Sequence, residues 1–384
     1  MLGPMGPTAT LTVGAAGATL AAVVAMVVVA RRARGAGGAV GRRVGLVALA
    51  ASLMVLAVGS VASYLVVRPG LGSPFFALAH AAYLAAVIGV PALGSVLLVL
   101  VATRVLPRRR HLVVIGVVMA LLAPLGWYGT HVAPYWLRVE RVAVALPSAR
   151  AGTDRIRIAV LADLQTNHVG SYERRVVTRL MAERPDLILI PGDLFQGDDA
   201  QWARTRPAMR ALLGRLHAPG GVFAVRGDAE VGDRLDQLVA GTDVRILDDA
   251  LVRVQVGDRR VALVGNSLRW AAAPGLAARM ELLEAPSDEV RIVVAHRPEV
   301  AYGFPDEGRV DLVVAGHTHG GQIALPWFGP PVDFSVVPRH VGAGGLHRLA
   351  GNPIYVSVGV GMERIQAPQV RLGTRPTIGI VDLG

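Results

Sequence analysis

Three aspartates and three histidines, spread between Asp163 and His319, recur in five short phrases, three of them glycine-bearing, that each follow an apolar run. The phrases are Ala162-Asp163-Leu164-Gln165, Gly192-Asp193, Arg226-Gly227-Asp228-Ala229, a solitary His296, and Gly316-His317-Thr318-His319-Gly320-Gly321. Carboxylate and imidazole donors suit a pair of hard-to-borderline divalent cations, and the glycines permit tight turns that let the side chains converge. Each phrase alone is ambiguous. A Gly-Asp is ordinarily a turn, and a histidine after a strand is ordinarily a structural hydrogen-bonder. The ordered set, closed by Gly-His-Thr-His-Gly-Gly-Gln, is what argues for a metal centre.

Such a centre needs strands to deliver it. Residues 155–161 (RIRIAVL), 186–190 (DLILI) and 222–225 are β-branched or continuously apolar runs that end where the first three phrases begin. Residues 290–295 and 310–315 end at His296 and at the Gly-His-Thr-His phrase. Residues 245–264 hold a hairpin turning at Gly257-Asp258, 354–358 and 377–381 complete the strands, and 172–183 has helical spacing. That is too many strands, with too few late helices, for one doubly wound sheet, so two sheets packed face to face with helices outside are expected.

From about residue 155 to 383 the chain resembles the calcineurin-like metallophosphoesterase superfamily, in particular its membrane-anchored bacterial branch. The family signature runs Asp-x-His, Gly-Asp, Gly-Asn-His-Asp/Glu, a lone His, then Gly-His-x-His. The segment from Tyr355 to Met362 (YVSVGVGM) and Gly320-Gly321-Gln322 are also similar to that branch. The resemblance implies an α/β, four-layer αββα sandwich that holds two divalent metal ions at its rim. It makes Asp193 the bridging carboxylate, places Asp163, Gln165 and His319 in one site, and places Asp228, His296 and His317 in the other. Asp193 and His317 are the expected catalytic residues.

The departures from that pattern carry chemical consequences. Gln165 stands where the family has a histidine, Asp228 where it has asparagine, and Ala229 where it has a second histidine. Exchanging nitrogen for oxygen donors tilts the preference toward Mn²⁺ or Mg²⁺ over Zn²⁺, with Fe also compatible. His168, three residues past Gln165, is an alternative donor, and a solvent-facing loop histidine is the plainer reading. Losing a general acid is typically worth roughly 10²–10⁴-fold, so Ala229 favours substrates with good leaving groups. The expected reaction is attack of a metal-bridged hydroxide on a phosphodiester or phosphomonoester, with Arg226 either binding the substrate phosphate or tied in a surface ion pair. The competing reading is a catalytically impaired metal-binding sensor or structural relative.

The rest of the chain is of another kind. The 384 residues are 53% hydrophobic and 17% charged, with a formal net charge of +11. Ordinary globular domains carry about 25% charged residues. The shortfall is local, since no acidic side chain precedes Arg138. Residues 8–30, 44–67, 75–103 and 112–130 are uncharged apolar runs, each reaching the roughly 20 residues that cross a bilayer. An N-terminal four-helix transmembrane module over residues 1–137 and a metallophosphoesterase domain over 138–384 are therefore expected. The first run is too long for a signal-peptide core and lacks a basic start, so no cleavage is expected.

Arginines cluster after the first run (Arg31, Arg32, Arg34, Arg42, Arg43) and after the third (Arg104, Arg108, Arg109, Arg110). Basic short loops stay in the cytoplasm, which makes this a multi-pass cell-membrane protein with an extracytoplasmic catalytic domain. Trp127, Tyr128, Tyr135 and Trp136 fit an outer aromatic belt. The arginines form no basic stripe, so no nucleic-acid partner is expected. The absence of cysteine excludes disulfides and thiolate metal sites. Transport by the spans would need intramembrane charge, and His80 has no acidic companion there. Residues 323–337 (IALPWFGPPVDFSVV) read either as a strand with a core-packing loop or as a lipid-facing lip beside the centre. The lip reading, with the spans, favours a phosphate ester of the envelope such as a lipid or a wall-linked diester.

Overall fold

The computed structural model describes residues 79–80, 82–266, 276–304, 310–364 and 367–384. They divide into two compact units, one ending at Val132 and including Glu363–Gln369, the other comprising Ala133–Met362 and Val370–Gly384. The expected spans at 8–30 and 44–67 lie outside the described residues. Among the described residues two helices, not four, are long and apolar enough to cross a membrane.

The first of these covers Ala82–Ala102 and includes a π-helical turn, Ala85–Gly89, ahead of helix α1 (Val90–Ala102). The turn loosens the hydrogen-bond ladder just before Pro91, whose ring nitrogen cannot donate. The second helix, α2 (Arg110–His131), carries Pro124 in its interior. Small residues set how closely the two approach: a Cβ on Gly94 would lie 2.6 Å from the Met119 Cβ, and one on Gly126 2.5 Å from the Val87 Cβ. Val114, Ile115, Val118, Leu121 and Leu125 are among the apolar residues that α2 leaves exposed.

The second unit is built on two six-stranded mixed sheets. The first has the order β1 (Arg138–Val144), β12 (Thr377–Leu383), β2 (Ile156–Val160), β3 (Leu187–Ile190), β4 (Val222–Ala224), β5 (Val244–Ile246). The second has the order β10 (Gly345–Leu349), β11 (Asn352–Val356), β9 (Leu312–Ala315), β8 (Val290–Ala295), β7 (Arg259–Asn266), β6 (Leu251–Val256). Strands β2 to β5 run parallel, as do β7, β8, β9 and β11, so the C-terminal ends of each set share one edge of their sheet.

Three apolar cores separate four layers. Leu187 and Leu189 point between the sheets with Ile158, Phe223, Leu263 and Ile292. Their neighbours Ile188 and Ile190 point the other way, onto α3 (Ser171–Met181), α4 (Asp199–Leu213) and α5 (Arg234–Val239). Val293 and Val313 pack outward beneath α6 (Leu276–Leu283) and α7 (Arg339–Gly342). Strands covered on both faces are apolar almost throughout, as in LILI, and the one charge in VRIVVA, Arg291, donates its guanidinium to the Ala285 carbonyl. Each fully buried Leu or Ile contributes roughly 1.5–3 kcal/mol, enough to hold costly turns at the strand ends.

Three strands depart from the sequence expectation. Residues 244–246 do not belong to the hairpin; they form an edge strand of the first sheet, and the hairpin is β6 and β7 alone, turning at Gly257-Asp258. Strands β1 and β10 were not anticipated. Both are edge strands whose sequences, RVERVAV and GLHRL, carry charge or a single weak apolar face.

Candidate metal centre

The chemistry-bearing phrases all sit just beyond the C-terminal ends of parallel strands: Asp163 after β2, Asp193 after β3, Asp228 after β4, His296 after β8, and His317 and His319 after β9. The backbone there is strained. Asp163, Gln165, Asp193, His317 and His319 all have positive φ, between 33° and 72°. For non-glycine residues this costs about 1–3 kcal/mol each and persists only where the surrounding fold over-determines it. Glycines make the room. A Cβ on Gly227 would fall 2.1 Å from Asp193 Oδ1, and one on Gly316 2.7 Å from Asp163 Oδ2.

The side chains meet. Asp163 is fully buried and accepts hydrogen bonds from the His317 backbone N–H at 3.1 and 3.2 Å. Asp193 accepts from the Ala229 N–H at 2.7 Å and from the Gln165 side-chain amide at 2.7 Å. His296 Nδ1 lies 2.8 Å from the Pro191 carbonyl and donates to it. Its Nε2 is thereby turned to Asp193 at 3.5 Å, Asp228 at 3.6 Å and His317 Nδ1 at 3.2 Å. His317 follows the same logic: its Nε2 faces the Phe334 carbonyl at 3.3 Å, leaving Nδ1 toward Asp228 at 3.0 Å. A ring N–H anchored on a backbone carbonyl is the usual support of a metal-binding imidazole.

Two overlapping groups result, Asp163 with Asp193 and His296, and Asp228 with His296 and His317, each with its ligand atoms within 4.8 Å. His319 stands outside both groups. It is buried, and its Nδ1 has no hydrogen-bond partner. Burial, with the Arg371 charge nearby, holds it far below the usual histidine range, so it is a neutral imidazole.

The other titrations register the crowding of charge. Burial pushes the Asp163 carboxyl well above the carboxylate range, against the pull of His296. Asp228 goes the opposite way: its partial burial is overridden by hydrogen bonds to His296, His317 and Arg297, which hold it far below that range. Burial alone would lower His296, yet Asp193, Asp228 and Asp163 raise it. Three carboxylates around two touching imidazoles, with an orphaned third imidazole nitrogen, form a donor set that fits divalent cations.

Not every expected residue points inward. Gln165 contacts Asp193 through its amide nitrogen. His168 is exposed on the loop and lies in neither group. Arg226 binds Asp248 at 2.8 Å and Asp236 at 2.8 and 3.0 Å, the surface ion-pair alternative. The guanidinium that reaches the centre is Arg297, bidentate on Asp228 at 2.8 and 3.1 Å with 39% of its side chain exposed. Two further residues escaped the sequence reading. The Glu230 carboxylate accepts from the N–H groups of Asp193, Leu194 and Gly227 at 2.9, 2.6 and 2.6 Å, and burial with Asp193 beside it raises its pKa to about 7. Arg371, fully buried and lowered to about 10 by that burial, donates to the carbonyls of Val358, Gly359 and Gly361, the loop that packs on Asp163. A glutamate three residues past Gly227, and an arginine next to His296, were the available signals.

Residues 156–321 match the family model for the calcineurin-like phosphoesterases. The chain is 28% identical over 293 residues to phosphodiesterase YaeI of Escherichia coli, covering 72% of this chain and 98% of that protein. It is 24% identical to the uncharacterized metallophosphoesterase YkuE of Bacillus subtilis, covering 69% and 92%. It is also 24% identical to the UDP-2,3-diacylglucosamine pyrophosphatase LpxG of Chlamydia trachomatis, covering 54% and 77%.

Proposed function

We propose, from the premise that this chain belongs to the calcineurin-like phosphoesterases, that it is a membrane-anchored hydrolase of phosphodiesters or phosphomonoesters that works with two divalent metal ions. The observation that carries this reading is the convergence of Asp163, Asp193, Asp228, His296 and His317 from five separate strand ends. Bound divalent cations supply Lewis-acid activation of water and neutralise phosphate charge. His296 is common to both groups, Asp193 faces it at 3.5 Å from the Asp163 side, and Asp193 is the carboxylate that would be shared between two bound cations. Asp163, with Gln165 and His319 as further donors of that side, would hold one cation, and Asp228, His296 and His317 would hold the other. The oxygen-rich set, with Gln165 and Asp228, favours Mn²⁺.

The chain's own residues do the positioning. Glu230 holds the backbone turn at Asp193, and Pro191 and Phe334 fix the two imidazole rings. Ala229 contributes only its backbone N–H, so no side chain at that position protonates a leaving oxygen. Arg297 pairs with a candidate ligand, Asp228, whereas Arg226 pairs with Asp236 and Asp248 outside both groups, so Arg297 is the better placed to meet a substrate phosphate. Esters with good leaving groups are therefore favoured.

Anchoring by four spans with the catalytic domain outside the cytoplasm rests on the arginine distribution, with two apolar helices in support. A substrate from the envelope accords with that placement. The test is Mn²⁺-dependent hydrolysis of bis(p-nitrophenyl) phosphate by the purified full-length chain, with metal content measured on the same sample. Turnover with about two metals per chain is expected. Bound metal without turnover on any phosphate ester would favour the sensor reading.

A further inference from the structure

The segment after the metal motif is neither a strand nor a core-packing loop. Leu325 and Gly329 close a tight turn, with the Leu325 N–H donating to the Gly329 carbonyl at 2.9 Å. The turn projects Trp327, which at 104% relative exposure touches almost nothing. Leu325, Phe328, Val332, Phe334 and Val336 are exposed beside it. Trp327 and Phe334 adopt φ of 61° and 54°, a left-handed backbone that is a genuine outlier for bulky residues. The fold thus bears strain while leaving aromatic rings in water, where they gain nothing from it.

We propose that this segment is a lip that inserts into the lipid bilayer interface and that the enzyme takes an acyl-chain-bearing phosphate ester directly from that surface. Tryptophan and phenylalanine favour the headgroup boundary. An exposed guanidinium beside them suits an anionic headgroup, while the Glu299 carboxylate is engaged by the Val336 N–H at 2.9 Å. Arg339 is exposed with its guanidinium 4.1 Å from the centre of the Phe328 ring, and His340 is exposed next to it. The acid within the segment, Asp333, is turned back onto the Ser335 N–H and hydroxyl at 3.1 and 3.0 Å. The same chain carries helices of membrane length, so a bilayer is always at hand.

The lip is joined to the centre. The Phe334 carbonyl is the group 3.3 Å from His317 Nε2, so the residue that presents an exposed ring also orients a candidate metal ligand. A phosphate held at headgroup depth would lie beside the reacting groups while its acyl chains stay in lipid. This substrate assignment rests on the phosphoesterase reading; the docking surface does not.

Because the chain has no cysteine, a single introduced thiol can be labelled uniquely. Trp327→Cys and a control, Asp199→Cys at a side chain 98% exposed, would carry an environment-sensitive fluorophore in the full chain. Both are reconstituted into phosphatidylcholine–phosphatidylglycerol vesicles. The expected result is quenching of the label at 327 by doxyl-labelled lipid and protection from iodide, with the reverse at 199. Free access of iodide to 327 overturns the proposal, as does lipid quenching that vanishes when the protein is diluted in the membrane, which would mark a contact between copies. In a second arm, the Trp327→Ser/Phe328→Ser double variant should hydrolyse a vesicle-borne diacylglycerol p-nitrophenyl phosphate about tenfold more slowly and leave bis(p-nitrophenyl) phosphate unchanged. An equal loss on both esters overturns the substrate assignment. If the unmodified chain cleaves neither ester, the hydrolase reading fails, and the quenching result still decides the docking surface.

Discussion

Two neighbouring parts of the second unit invert the usual partition of side chains, in opposite directions. At the strand ends Asp163, Asp193 and His296 are polar groups shut away from water. In the segment that follows the Gly-His-Thr-His phrase, Trp327, Phe334 and Val336 are apolar groups held out in water. The strand cores keep to the rule more closely, with LILI buried at every position. Buried carboxylates are unfavourable without a cationic partner, and exposed aromatics on a left-handed backbone are unfavourable without an apolar one. Each inversion names its missing partner by charge and polarity: cations for the first, a lipid surface for the second.

The comparison breaks most completely at Asp193. Substituting Asn at this position should abolish hydrolysis and metal pairing together, read by elemental analysis alongside turnover; an active variant retaining both metals would remove the bridging role. Arg297→Ala should lower kcat/KM by roughly 10–10²-fold while leaving metal content intact, because Asp228 keeps its donor oxygens. Arg297→Lys should recover only part of that loss, since an ammonium cannot reproduce the bidentate pair. The smallest effects are on stability, and they should differ in kind between the two regions. Glu230→Gln leaves N–H groups without an ionised acceptor and should cost about 1–3 kcal/mol in thermal or denaturant unfolding. Trp327→Ser touches almost nothing and should stay within about 0.5 kcal/mol of the parent.

How much of this was legible in the sequence follows from the same physics. Strands buried on both faces announce themselves as nearly continuous apolar runs, and the bounds read for β8 match the strand observed despite its Arg291. Edge strands such as β1, β5 and β10 face solvent on one side, so their patterns are short or charged and were missed or misassigned. The five converging residues were legible because each ends a readable strand. The arginine paired with Asp228 was not. Arg226 and Arg297 both adjoin candidate ligands, and only the positions of Asp236 and Asp248, 10 and 22 residues beyond Arg226, draw it outward. The exposure of residues 325–336 was likewise undecided, since an apolar, proline-rich run suits a core as well as a lip.

The account's central claim is that distant strand ends build one cradle for a pair of cations. Anomalous diffraction at the manganese edge from Mn²⁺-soaked crystals of the chain tests it most directly. Two peaks roughly 3.5–4 Å apart, flanking Asp193 with Asp163 on one side and Asp228 on the other, are predicted. Manganese absent from this cradle, or bound only at surface carboxylates such as Asp199, would contradict it.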